Sequence, residues 1–253
     1  MNYWVFFGTG RFFHSKEKSA VNQQAFYGIK EPLDCDNEFT WATVEKAGTP
    51  DSLPGSQGLL QVDQILIKPS GASAADIVCK DMDPDCLALV AGGVTTFDTL
   101  VEYISGSGCL AADPTGTDGW YREFPYDKER NLGQGALLGG LLTFTTFRPF
   151  DDPCLPEGYS YLYGLYLKTG TSWYKPVFQT IVGTEGLDDS GNIIDIVSIG
   201  RGMSTTPNLH VGKSEGSKAF VQTSTGAIIE IPQVNLPVAA VKTGRANWIE
   251  LSD

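Results

Sequence analysis

From Gly135 onward the chain is a succession of short apolar runs, each cut off by turn residues: Ala136 to Phe147, Tyr161 to Leu167, Val177 to Val182, Ile193 to Ile199, Ala219 to Thr223 and Ala227 to Ile231. Runs of this length, rich in β-branched and aromatic side chains, read as strands joined by tight turns. The first thirty residues follow the same rule. Residues 3–7 are aromatic and β-branched, Gly8-Thr9-Gly10 makes a turn, Phe12-Phe13 resumes the apolar pattern, and Ala25 to Ile29 reads as another strand. Residues 31–58 are rich in Asp, Pro, Gly and Ser and read as loop, after which Leu59 to Ile67 alternates as a strand. The 29 glycines and 14 prolines suit many turns. With 253 residues, 42% of them hydrophobic, there is enough apolar material for one large mainly β domain over residues 1–253.

A weak internal repeat narrows the architecture. An apolar strand ending in Thr-Gly occurs at Val5 to Gly10, Leu165 to Gly170, Val221 to Gly226 and Val241 to Gly244. Glycine adopts the positive φ of a tight turn at little cost, so Thr-Gly between strands is mechanically sensible. The pattern resembles the blade hairpins of quinoprotein-type β-propellers, with Trp173 and Trp248 in the later position where a blade tryptophan falls. A modified or partial propeller is therefore the expected architecture. Residues 70–118 interrupt it as a loop and helix insertion. Thr95 and Asp98 form a capping-box-like start, and Phe97, Leu100, Val101 and Ile104 line one helical face. Ala72 to Cys79 is expected as a second short helix.

The net charge of −12 argues against a nucleic-acid partner, which is bound by clustered Lys and Arg, and disfavours anionic lipid surfaces. No run approaches the roughly 18 apolar residues that span a bilayer, so membrane insertion is not expected. Nor do the residues after Met1 have the basic and small-residue pattern of a signal peptide, so any export signal is expected to lie outside this chain. The five cysteines (Cys35, Cys79, Cys86, Cys109, Cys154) form no C-x-x-C pair, and disulfides in an oxidising compartment are the better reading than zinc. On proximity alone, Cys79 with Cys86 is the first pairing to expect.

Chemistry has few footholds. His14 and His210 are the only histidines, remote from each other and from any nucleophile elbow. Two acidic clusters have the look of a calcium loop. Asp81, Asp83 and Asp85 alternate as in the first half of an EF-hand loop, although Cys86 stands where the turn wants glycine. Asp188, Ser190, Asn192 and Asp195 offer oxygen atoms that would wrap a calcium ion; the competing reading is a polar hairpin turn. Trp120, Tyr121 and Arg122 belong to an aromatic and basic cluster that reads either as an exposed binding face or as packing of an inserted loop.

Several stretches together resemble the PilY/PilC family of type IV pilus biogenesis factors. They are Trp4 to Arg11, Ala25 to Ile29, Gly119-Trp120-Tyr121 with Glu129-Arg130, Thr143 to Pro149, Asp152-Pro153-Cys154, Tyr161-Leu162-Tyr163, Val221 to Gly226 and Lys242 to Trp248. They follow one another in order over most of the chain. The resemblance implies a modified β-propeller without enzymatic activity, exported to the periplasm and cell surface. Its partners would be pilus tip minor pilins or pilin-like subunits, or a host or surface receptor, with calcium as the expected cofactor. Two alternatives remain open: a quinoprotein-like dehydrogenase propeller, and a calcium-dependent surface adhesin unconnected with pili.

Overall fold

The computed structural model describes residues 4–12, 15–30, 58–106, 117–150, 157–178, 185–211 and 217–237. Outside them lie residues 1–3, Phe13, His14, residues 31–57, 107–116, 151–156, 179–184 and 212–216, and the stretch from 238 on. Expectations for Cys35, Cys109, Cys154, the run Val177 to Val182 beyond Phe178, and the Thr243-Gly244 turn with Trp248 therefore fall outside the described residues.

In chain order the elements are β1 (Trp4–Gly8), β2 (Ala25–Lys30), β3 (Leu59–Gln61), β4 (Ile65–Pro69), β5 (Ala75–Cys79), α1 (Pro84–Ala91), α2 (Phe97–Ser105), β6 (Gly119–Glu123), β7 (Arg130–Asn131), β8 (Ala136–Leu138), β9 (Leu141–Pro149), β10 (Gly158–Tyr166), β11 (Ile196–Arg201), β12 (Asn208–Val211), β13 (Ser217–Gln222) and β14 (Ile228–Gln233). The fold is mainly β. A four-stranded sheet runs β1-β2-β6-β3, in which only β3 and β6 are parallel. A larger sheet runs β11-β10-β9-β7 with β8 added to β9, and β12-β13-β14 and β4-β5 form two smaller antiparallel sheets. None of these sheets closes on itself. Among the described residues no helix is long and apolar enough to cross a membrane.

The long β9–β10 hairpin sits between two apolar layers, because alternate residues of a strand face opposite sides. On one side Phe144 and Tyr163 stack at 4.8 Å, and Phe26 lies on Phe144 at 3.8 Å beside Trp120. On the other side Leu141 and Leu162 join Phe178, Val197, Val221 and Ile231. Polar residues on these strands are bonded rather than stranded: Thr143 accepts from Gln233 Nε2 at 2.9 Å, and Thr145 donates to the Thr205 carbonyl at 3.0 Å.

Two expectations for residues 70–106 are corrected. Ala75–Cys79 is a strand, not a helix: its Ala75 and Ile77 are buried and Asp76 exposed, the period of two that pairing with β4 requires. The capping box sits one residue later than expected. Thr96, in an extended conformation, accepts from Thr99 N, while Thr99 Oγ1 accepts from Thr96 N. The apolar face of α2 is as read, with Phe97, Leu100 and Ile104 buried. The run from Leu59 to Ile67 is two strands broken at Asp63-Gln64, and Ala136 to Phe147 is a hairpin turning at Gly139-Gly140.

The Thr-Gly pairs sit at chain reversals and strand ends with glycine at positive φ: +124° at Gly10, +68° at Gly170 and +88° at Gly226. Thr225-Gly226 turns β13 into β14. Gly170 does more, because with Gly28 it flanks the buried Trp120 ring so closely that a Cβ at either position would collide with the indole.

Candidate functional site

β6 is the strand on which the rest of the site is built. Alternation sends Trp120 and Arg122 into the main core and Tyr121 to the opposite face. Trp120 is fully buried and donates from Nε1 to the Leu167 carbonyl at 3.0 Å. Arg122 is buried too, and its guanidinium holds both carboxylate oxygens of Asp195, at 2.7 and 3.2 Å, and the Gly170 carbonyl. Burial opposes the arginine charge, but Asp195 and the neighbouring Tyr163 more than offset it, so the guanidinium stays ionised. The expectation that Trp120, Tyr121 and Arg122 form an exposed binding face is corrected, since all three are buried. Their aromatic and basic character serves packing and one internal ion pair.

Behind Arg122 lies a second buried acid. Glu129, only 1% exposed, accepts from Thr146 Oγ1 and from Tyr163 Oη at 2.6 Å through the same oxygen. Its Oε2 and the Nε of Arg122 are buried without a hydrogen-bond partner. Burial pushes the Glu129 carboxyl above the usual carboxylate range, and the same burial with Glu129 alongside pushes the Tyr163 phenol well up. Next in sequence, Arg130 donates to the carbonyls of Lys128, Arg11 and Glu17, fastening the segment after β1 to the body of the fold.

In each acidic cluster one carboxylate is engaged in local hydrogen bonds. Asp188 Oδ1 accepts from the backbone amides of Ser190 and Asn192, both at 2.8 Å, and Oδ2 accepts from Asn192 Nδ2. This is the polar turn, and those local bonds hold the Asp188 carboxyl below its usual range even though burial opposes them. Asp195, the expected fourth ligand, is committed to Arg122. In the other cluster Asp83 is the N-cap of α1, its Oδ1 accepting from Asp85 N and Cys86 N. Asp81 stands before it at φ +49° and Asp85 in the first helical turn. Among the described residues no three His, Cys, Asp or Glu side chains gather as metal ligands.

What the chain does build is a groove of about 460 Å³ between the insertion and the four-stranded sheet. Its sheet side is Leu59, Leu60 and Gln61 of β3 with Tyr121; its insertion side is Asp83, Asp85, Cys86 and Leu89 at α1, with Tyr103 of α2. A disulfide between Cys79 and Cys86 ties the first turn of α1 to the end of β5. Lys30 Nζ donates to the Ile104 and Ser105 carbonyls and holds the C-terminal end of α2 to β2. Among the described residues, Asp83 and Asp85 are the only charged side chains lining the groove. Tyr121 donates to Gln61 Oε1 at 2.7 Å, and its phenol is pushed up to about 12, by burial first and then by Glu123, Asp63, Tyr27 and Asp85.

The groove went unread in the sequence because its wall is assembled from β3, α1, α2 and β6, far apart in the chain. One signal was available. Asp83-Pro84 is a helix start, an N-cap acid followed by proline at the first helical position, and it identifies Asp83 as a cap.

Among solved structures, the chain is similar to the C-terminal domain of Pseudomonas aeruginosa PilY1, with 16% identity and a TM-score of 0.49. The match covers 92% of this chain and 42% of that one, so the chain spans less than half of that protein's length. No family model matches the chain, and no curated protein does.

Proposed function

We propose that the chain is a non-enzymatic binding module of type IV pilus assembly and tip-associated adhesion, carried on a propeller-related β scaffold. It would work in the periplasm and at the cell surface, against pilin-like tip subunits or a surface receptor. The observation that carries this reading is where the family-like stretches fall. Trp4 to Arg11, Ala25 to Ile29 and Gly119 to Tyr121 occupy three hydrogen-bonded neighbours, β1, β2 and β6. Thr143 to Pro149 and Tyr161 to Tyr163 pair with each other, and Glu129 joins them through Thr146 and Tyr163. Stretches that converge on one buried scaffold are what a shared framework leaves in a sequence. The Cys79–Cys86 bridge fits an oxidising compartment.

On this reading the scaffold presents, and the insertion contacts. α1 and α2 stand on the sheet with their outer faces in solvent, and the groove between insertion and sheet is the docking position. The test is genetic and microscopic. Deleting the gene is expected to abolish surface pili, and immunogold label for the protein is expected at filament ends. Normal piliation in the deletion strain, with label confined to the soluble periplasm, would refute the reading.

A further inference from the structure

The groove has a chemical character that narrows its occupant. Its floor and walls are apolar at Leu59, Leu60 and Leu89, Tyr103 and Tyr121 line it, and every formal charge on its lining among the described residues is negative. Asp63 and Glu123 add to the negative field around Tyr121 without lining the groove. Gln61 and the Tyr121 hydroxyl are bonded to one another, so the polar atoms of the sheet wall are already arranged. Asp83 spends only Oδ1 on capping α1. A volume of about 460 Å³ lies in the range that accepts a side chain or small ligand.

We propose that this groove receives an arginine or lysine side chain, flanked by apolar residues, from an extended segment of a partner protein. The stem of such a side chain lies along the leucines, and the cationic head meets Asp83 and Asp85 at the rim. Charge complementarity selects this occupant over an acidic segment, which would bring like charges onto two carboxylates and a chain of net charge −12. The proposal rests on the binding-module reading for its partner being a protein, and names the feature by which that partner is recognised.

The test is calorimetric titration of the full chain with a synthetic nonapeptide of alternating leucine and arginine, against the same peptide with citrulline, the uncharged isostere, in place of arginine. The arginine peptide is expected to bind and the citrulline peptide to bind roughly ten-fold more weakly. The double variant Asp83→Asn/Asp85→Asn is expected to lose the preference while keeping its helix, because Asn caps as well as Asp. A second double variant, Glu185→Gln/Asp189→Asn, removes the same charge from an exposed loop that does not line the groove and is expected to bind as the parent does. Equal binding of both peptides would overturn the proposal, since the groove would then be merely apolar. Equal weakening by both double variants would overturn it in favour of the general field of an acidic chain. Displacement of the peptide by millimolar calcium would overturn it in favour of a metal site. None of these outcomes bears on piliation, so the groove's chemistry and the pilus reading stand or fall separately.

Discussion

The residues that decide most at the smallest scale are buried charges. Arg122 and Asp195 form a nearly enclosed pair, with side-chain exposures of 6% and 15%. Removing one member strands the other, so Arg122→Met or Asp195→Leu alone is expected to cost about 3–5 kcal/mol. The double variant Arg122→Met/Asp195→Leu is expected to recover much of that loss, and urea unfolding of all four proteins closes the cycle. Equal losses that simply add would show that the pair is not coupled. Glu129 gives a pH signature. Its folded pKa is raised by burial above the unfolded value, so the folded state favours the protonated acid. Its contribution is fully present below the ordinary carboxylate range and is lost as pH rises through the folded pKa. Glu129→Gln removes that dependence, so the variant is expected to gain on the parent between pH 4 and pH 7.5 by urea midpoint. A difference that stays constant with pH would place the titration elsewhere.

At the scale of elements, turns and staples matter more than propensity. Gly170 combines positive φ with van der Waals contact against Trp120, whose indole is fixed by its bond to Leu167. Gly170→Ala is expected to cost at least about 2 kcal/mol, since the left-handed strain and the clash act together. Gly226→Ala at the β13–β14 turn has the same strain but open space around it, and is expected to cost about half as much. If the two variants melt alike, close packing on Trp120 is not the reason for glycine at 170. The Cys79–Cys86 bridge spans seven positions of sequence. Replacing both cysteines by serine is expected to lower stability by about 2–3 kcal/mol, from loop entropy. Because α1 forms one wall of the groove, the same variant is expected to weaken peptide binding.

For the molecule as a whole, net charge sets the response to salt. A chain of −12 repels itself when folded, and added salt screens that repulsion. The melting temperature at pH 7 is therefore expected to rise with sodium chloride between 10 and 150 mM. It is also expected to rise as pH falls toward 5, near the sequence pI of about 4.6, with the release of self-repulsion and the Glu129 titration acting in the same direction. A fall in both tests would mean that surface ion pairs such as Lys218–Glu230 outweigh the overall repulsion.

By itself the sequence determined the mainly β class, the apolar face of α2, and the positions where glycine must turn the chain. Each of these is local: strand alternation, helical spacing and positive φ depend on a few neighbouring residues. The sequence also put Cys79 beside Cys86 through proximity. Tertiary structure alone decided which polar residues are free to act. Asp195 reads as a metal ligand in the run Asp188 to Asp195, and its pairing with Arg122 exists because β6 delivers that arginine to it across 73 residues. Trp120 and Tyr121 belong to a cluster that reads either as an exposed face or as packing, and both are buried because one face of β6 lies on the main core and the other packs with Ala25 and Leu59. Ala75–Cys79 became a strand because β4 supplied a partner in register, against a composition equally compatible with helix. The groove is the furthest from local rules. Its walls come from four elements that touch only once the disulfide and the sheet have placed them, and no window of the sequence contains them all.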